Sequence, residues 1–308
     1  MEKWAIKTQN LTKVYGKNIV VNNVNMNVKE GDIYGFVGEN GAGKTTFMKM
    51  IMGLTYQTSG SFIIMNECNV KIQRKKMGCT IETPSLYLDR TARENMEIFS
   101  LAFGCKSSKR INEILEVVNL RNVDHKKVGK YSLGMKQRLA IALALLGDPK
   151  ILILDEPING LDPIGIQEIR NLIYKLNNEE GITFLISSHI LEELSKIATK
   201  YGIIHKGVLI EEINPSEFYD NSFLKIRLSR PAEAKKVICD KLKGIQCELI
   251  DDNCIKVNDY RGSVNNILSL LLENNQEVYE IVHKKESLED YVLNMIRKED
   301  ENGTFRNL

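Results

Sequence analysis

Gly38-Glu39-Asn40-Gly41-Ala42-Gly43-Lys44-Thr45-Thr46 decides how this chain is read. The run fits G-x-x-x-x-G-K-[ST], a loop that cradles phosphate, and its surroundings fit as well. Apolar residues 33–37 enter it as a strand, and residues 47–52 leave it as a helix. Glycines let the backbone curl so that successive N–H groups point inward, and the helix N-terminus adds partial positive charge. Lys44 is then placed to bridge β- and γ-phosphates, and the Thr45 hydroxyl to ligate Mg²⁺. A chance Gly-rich turn would not need the flanking strand and helix. The expectation is a nucleoside triphosphate held by residues 38–46.

The second informative stretch is Ile151-Leu152-Ile153-Leu154-Asp155-Glu156-Pro157. Four apolar residues form a buried strand that delivers two carboxylates at its C-terminal end, where ligands bind in open α/β sheets. Adjacent residues on a strand tip point differently. Asp155 is read as a Mg²⁺ ligand, usually through water, and Glu156 as a general base, a role contributing about 3–5 kcal/mol of barrier. Alone, the pair could equally be a solvated strand end; beside a phosphate loop the catalytic reading prevails.

The rest of the chain sorts around these two stretches. At 308 residues, with 43% hydrophobic and 27% charged residues, it has the composition of a soluble globular protein with room for two domains. Its formal net charge of +2 gives no reason to expect nucleic acid, and Arg74-Lys75-Lys76 reads as solvated loop. No run reaches the ~18–20 apolar residues of a membrane span, and no signal-peptide core follows Met1. The expected location is cytoplasmic. Six cysteines without C-x-x-C spacing read as reduced, mostly buried thiols. Residues 1–215 read as one α/β unit. Its strands lie at 33–37, 151–154 and 183–187, its helices at 91–103, 111–118, 132–146 and from Asp162-Pro163 onward, and a hairpin turns at Lys206-Gly207. After Asn214-Pro215-Ser216, residues 222–299 read as a small α+β unit in the βαββαβ order of a ferredoxin-like split βαβ fold. Nothing in that unit looks catalytic, and it reads as an accessory or docking domain.

Tyr131-Ser132-Leu133-Gly134-Met135-Lys136-Gln137-Arg138 precedes a long apolar helix. Ser132 is a plausible N-cap, and Gly134 leaves backbone N–H groups open to an anion, though by itself this is only a well-capped helix. Here the sequence resembles the ATP-binding subunits of ABC transporters, whose signature is L-S-G-G-Q. Ser132 and Gly134 match; Tyr131, Leu133 and Met135 depart. Other segments follow in the family's order. Tyr15 resembles the aromatic that stacks on adenine, Asn159-Gly160-Leu161-Asp162 the D-loop, and His189 the switch histidine at the γ-phosphate. The resemblance covers residues 1 to ~215 and implies a P-loop NTPase fold with a helical subdomain.

The resemblance also implies a mechanism. Two such domains, in a homodimer or a pair with a related subunit, would sandwich each ATP between one phosphate loop and the other's Ser132-Gly134 segment. Closure and hydrolysis would then drive a separate membrane permease, holding the chain at the inner face of the membrane. Repair or ribosomal relatives would carry long insertions or a second cassette, and none is seen between Lys44 and Asp155. A binding module that does not turn over ATP would not need Lys44, Asp155, Glu156 and His189 together.

One departure narrows the subfamily. Where most such subunits place a glutamine that meets Mg²⁺ and the permease, this chain has Glu82, within Met77-Gly78-Cys79-Thr80-Ile81-Glu82-Thr83-Pro84. At ~5 Å and an effective dielectric near 20, its extra charge is worth about 3 kcal/mol, with a sign set by the nearer neighbour. Glu82, the Tyr131–Arg138 signature and Ser287-Leu288-Glu289-Asp290-Tyr291 resemble the bacitracin-resistance and lantibiotic self-protection transporters. The implied function is export of such a peptide antibiotic; the alternative is a general exporter in which Glu82 is a neutral variant.

Overall fold

A computed structural model describes residues 2–82, 85–102, 104, 107–123, 125–215, 222–242, 244–258, 260, 262–285 and 288–301. Of the residues read above, Thr83, Pro84, Phe103, Cys105, Ser216, Lys243 and Ser287 lie outside these. The chain divides into two compact units, residues 1–213 with 296–308, and residues 214–295.

The first unit opens with β1 (Trp4–Tyr15), β2 (Asn18–Val24), β3 (Asn27–Lys29) and β4 (Ile33–Val37), followed by α1 (Lys44–Met52) and β5 (Ser59–Ile64). Next come a one-turn α2 (Val70–Gln73), β6 (Met77–Thr80), α3 (Ala92–Ala102), α4 (Ser108–Val117) and α5 (Leu133–Ala144). The unit continues with β7 (Ile151–Asp155), α6 (Pro163–Glu180), β8 (Thr183–Ser188), a short α7 (Leu191–Leu194), β9 (Lys200–His205) and β10 (Val208–Ile213). Six strands form one sheet in the order β10-β9-β4-β8-β7-β6, parallel except for the β9–β10 hairpin. Its central strands are buried along their lengths, as strands covered on both faces must be. A smaller antiparallel sheet runs β2-β1-β3, with β5 also on β1.

Register decides where the chemistry falls. Val37 aligns with Ser188, and Asp155 with Ser187, so β4, β7 and β8 end level with one another. The phosphate loop, the two carboxylates and His189 all follow those ends. Under the loop, Phe36, Phe47, Met48, Met50 and Ile51 join Ile151, Ile153 and Leu185 in a continuous core. The Phe36 and Phe47 rings lie 5.1 Å apart in a tilted pair.

The expected helices are present with shifted ends. α4 begins earlier than residue 111 because the Ser107 side chain caps it, accepting from the Arg110 N–H. Asp162 caps α6 in the same way, and Gly181 closes it at φ +65°. The basic run at 74–76 is not simply solvated loop: the Arg74 guanidinium donates to the Ile51 and Met50 carbonyls (2.7 and 3.0 Å), satisfying the C-terminal end of α1. The five described cysteines are free, as expected, but Cys68 and Cys239 are exposed, Cys79 is half-buried, and among the described residues only Cys247 and Cys254 are buried.

The β9–β10 hairpin turns at Lys206 (φ +46°) and Gly207 (φ +83°), the paired left-handed conformations that suit the twist of a two-residue turn. A half-buried polar knot holds it to β4. Glu212 accepts from the Tyr34 hydroxyl (2.8 Å) and from the Asn27 backbone N–H and side-chain amide (both 2.9 Å), and pairs with Lys200 (3.1 Å). Burial, and then Glu212 itself, push the Tyr34 hydroxyl well above its ordinary pKa and keep it a donor.

The second unit contains β11 (Ser222–Leu228), α8 (Pro231–Lys241), β12 (Cys247–Asp251), β13 (Cys254–Asn258), α9 (Val264–Glu273), β14 (Val278–Lys285) and the start of α10 (Leu288–Glu301). Its four strands are antiparallel in the order β12-β13-β11-β14. Leu224, Ile226, Ala234, Ile238, Ile255, Val257, Ile267 and Leu271 form its own core.

Candidate active site

The loop of residues 38–43 has the backbone that its glycines predict. Gly41 and Gly43 take φ of +84° and +105°, conformations that a β-carbon disfavours. Gly38 is required for space, since a β-carbon there would lie 2.2 Å from the Ile204 carbonyl oxygen. Asn40, Gly41, Gly43, Lys44, Thr45 and Thr46 line an open cavity of about 220 Å³, together with Val20 and Glu156. Lys44 is buried, and its ammonium donates to the carbonyls of Gly38 (2.6 Å) and Glu39 (3.0 Å). Its charge also lies 3.5 Å from Glu156 Oε1.

Asp155 and Glu156 diverge as the strand tip demands. Asp155 accepts from the Thr45 hydroxyl (2.8 Å) on one oxygen and from the Ser187 hydroxyl (2.5 Å) on the other. Glu156 takes φ +49°, a left-handed conformation costing a non-glycine residue about 1–3 kcal/mol. That cost is borne where its N–H donates to Ser187 Oγ (2.8 Å). One carboxylate oxygen then meets His189 Nδ1 at 2.7 Å, while the other, Oε1, is buried without a hydrogen-bond partner. Among the described residues its only close charge is the Lys44 ammonium, so this carboxylate oxygen at the cavity wall makes no hydrogen bond and can accept one from water, as a water-activating base must.

Ser187 is the residue that reading the sequence missed. Fully buried, it joins the two carboxylate residues through one hydroxyl. The available signal was Ser187-Ser188 at the end of an otherwise apolar strand. Val20 was missed too; it lines the cavity from β2. Tyr15 lies at the end of β1, half-exposed, with the Lys13 ammonium 4.7 Å from its ring centroid. Glu82 (φ +62°) pairs with Lys49 at 2.5 Å, one helical turn beyond Thr45 on α1.

Ser132 and Gly134 open α5. The Ser132 hydroxyl accepts from the Met135 N–H (3.2 Å), and the neighbours of Gly134 are Leu161 and Gly165 rather than the phosphate loop. Asp162 is occupied as the α6 cap, accepting from the Gly165 N–H at 3.0 Å. The starts of α5 and α6 thus form one patch, with Leu133 and Ile164 exposed on it.

Comparison with known proteins identifies the family. The ABC transporter family profile matches residues 21–159. The chain is 44% identical to the bacitracin transport ATP-binding protein BcrA of Bacillus licheniformis, over 94% of this chain and 97% of that protein. It is 45% identical to the lantibiotic transport ATP-binding protein SrtF of Streptococcus pyogenes, over 71% of this chain and 97% of that one. Among solved structures, the ATP-binding cassette MJ0796, a dimer in a post-hydrolysis state bound to ADP and Pi, superposes with a TM-score of 0.60 at 28% identity, covering 68% of this chain and 98% of that one. A phosphate loop, a strand-tip carboxylate pair and a histidine against the second carboxylate therefore belong to an ATP-hydrolysing subunit, and the chain is a member of the ABC transporter ATP-binding family.

Proposed function

We propose that this chain powers export of a bacitracin- or lantibiotic-like peptide through a separate membrane permease. The observation that carries the substrate class is the match to BcrA, which extends over 94% of the chain and so reaches beyond the first unit. The match to SrtF ends at 71% of the chain while using 97% of that protein, which favours the bacitracin-type relative. Among the described residues no helix is long and apolar enough to cross a membrane, so the permease supplies the crossing. The chain would then lie in the cytoplasm against the inner face of the membrane.

The residues fit MgATP. Thr45 and Asp155 are hard oxygen donors 2.8 Å apart, and they would hold the ion with phosphate oxygens and water completing its shell. Mg²⁺ when bound neutralises charge on the β- and γ-phosphates. Lys44 leaves the carbonyls of Gly38 and Glu39 for the phosphates, which frees it from Glu156. Glu156 Oε1 accepts the proton of the attacking water, while His189, on the other oxygen, fixes the carboxylate's orientation and faces the γ-phosphate. Residues 38–46 supply inward N–H groups, Asn40 among them, while Ala42 holds the turn through its N–H to the Glu39 carbonyl, and Tyr15 stacks on adenine.

A second copy or a related subunit supplies Ser132 and Gly134 to the same nucleotide, with Asp162 holding the adjoining patch in shape. Glu82 exchanges Lys49 for the metal site as the permease engages. Residues 1–215 act as the ATPase domain, and residues 222–299 as a ferredoxin-like accessory domain. The test is survival. Expressed with its permease in a sensitive bacterium, the wild-type chain protects against bacitracin or a lantibiotic, and Glu156→Gln does not. If no peptide antibiotic separates the two despite confirmed expression and ATPase activity, the general-exporter reading takes over.

A further inference from the structure

The phosphate loop is held from outside by the β9–β10 hairpin. The Gly207 N–H donates to the Ala42 carbonyl (3.0 Å), and its own carbonyl accepts from the Asn22 N–H (2.8 Å). At Gly38 the hairpin approaches so closely that a side chain would strike the Ile204 carbonyl. The last residue of β9, His205, is only 3% exposed. Its ring lies between two carboxylates, with Nδ1 3.7 Å from Glu39 Oε2 and Nε2 3.3 Å from Asp300 Oδ1. Asp300 also accepts from the Lys206 ammonium at 2.6 Å. It belongs to the stretch from residue 296 that clusters with the first unit. The Lys206 hydrogen bond, and after it the one from His205, hold the Asp300 carboxyl below its ordinary range, so it is an anion across the neutral pH range.

Glu39 is the junction of the loop. Its carbonyl accepts from both the Ala42 N–H (3.2 Å) and the Lys44 ammonium (3.0 Å). Whatever fixes Glu39 therefore fixes the backbone turn from Glu39 to Ala42 before nucleotide arrives. We propose that His205 and Asp300 are positioning residues for ATP binding: Asp300, anchored by Lys206, fixes the His205 ring against Glu39 and keeps the phosphate loop in its binding-ready shape. None of the three side chains needs to touch nucleotide. The effect is preorganisation, since a loop already ordered loses less conformational freedom on binding. The proposal rests on the family assignment and is independent of which substrate is exported.

The purified full chain tests it, with a fluorescent ATP analogue for affinity and steady-state hydrolysis for the KM-against-kcat split. Asp300→Ala and His205→Gln should each weaken analogue binding and raise the ATP KM about 5-fold, with kcat within 2-fold of wild type. The double variant should be no worse than the weaker single, because both act along one chain of contacts. Asp300→Glu should restore most of the affinity, and Lys206→Ala, at an exposed site, should show a smaller loss in the same direction. Unchanged KM in Asp300→Ala and Lys206→Ala overturns the proposal. So does a parallel fall of kcat and thermal stability with no rescue by Asp300→Glu, which would reduce the contact to ordinary folding support.

Discussion

The two ends of the nucleotide site are supplied differently. At the phosphate-loop end, the fold itself completes the constellation: Lys44, Thr45, Asp155, Glu156, Ser187 and His189 already touch one another. At the signature end, Ser132 and Gly134 are held by a helix cap and by Leu161 and Gly165, with Ser132 exposed. On the proposed reading, one end is a catalytic apparatus assembled within one chain, and the other is a shaped surface for a nucleotide carried by a second copy. The contrast teaches that binding ATP and turning it over are separable properties of this chain, and mutations should separate them.

The largest effect is expected at the finished end. Glu156→Gln removes the base while keeping size and the His189 neighbour, and should lower the hydrolysis rate ~10²–10⁴-fold, the usual contribution of general-base catalysis. ATP affinity should be unchanged or tighter, because the competing carboxylate 3.5 Å from Lys44 has lost its charge. A hydrolysis rate within tenfold of wild type in single-turnover assays would move the base to another residue and break the comparison at its stronger side.

Gly134→Asp probes the unfinished end by setting a carboxylate where an anion is expected. Hydrolysis should fall ~10²-fold, comparable to loss of one well-placed anion-stabilising donor. The ATP affinity of the isolated chain should stay within twofold. Loss of affinity in the isolated chain would mean that Gly134 serves its own loop, and the two ends would no longer be distinct.

Ser187→Ala sharpens the comparison inside the finished end. It deprives the Glu156 N–H of its acceptor and Asp155 of a donor, at a left-handed residue that needs support. A buried unsatisfied group costs about 1–3 kcal/mol, so kcat should drop roughly tenfold, with a small loss of thermal stability. If Ser187→Ala hydrolyses ATP at the wild-type rate, the strained backbone at Glu156 needs no help from that hydroxyl.

How much of this was legible depended on whether local pattern and tertiary packing agreed. The strands at 33–37, 151–155 and 183–188 are short, mainly apolar runs because both faces are buried, and the loop and carboxylates fall at or after their ends. β1, β2 and β5 were not read as strands. Lys, Asn and Thr interrupt β1, Asn interrupts β2, and Ser59-Gly60-Ser61 fills half of β5, while Asn10 and Asn23 sit at φ +49° beside shifts in register, so no clean two-residue period survives. Ser187 was hidden for a different reason: a buried serine at a strand end gains meaning only when the parallel register sets it opposite Asp155. Arg74 was misread as loop because its partners, the Met50 and Ile51 carbonyls, are distant in sequence and carry no side-chain signature.

Glu82 is expected to give the smallest change in binding and the most selective change in coupling. It is 64% exposed and tied to Lys49, one turn beyond the hydroxyl that faces Asp155, so it borders the finished end without belonging to it. An exposed pair of this kind contributes only about 0–1 kcal/mol to stability, and Glu82→Gln should leave both folding and ATP affinity near wild type. What changes is the charge available when Lys49 and the metal site compete for the side chain, and with it the ratio of ATP hydrolysed to peptide antibiotic removed. That ratio is measured in vesicles carrying the permease, with Lys49→Met as the companion variant. A shift of the same sign in both variants ties the pair to coupling. Unchanged rates of hydrolysis and transport in both would leave Lys49–Glu82 a surface contact, and would confine the chemistry of this chain to the strand tips.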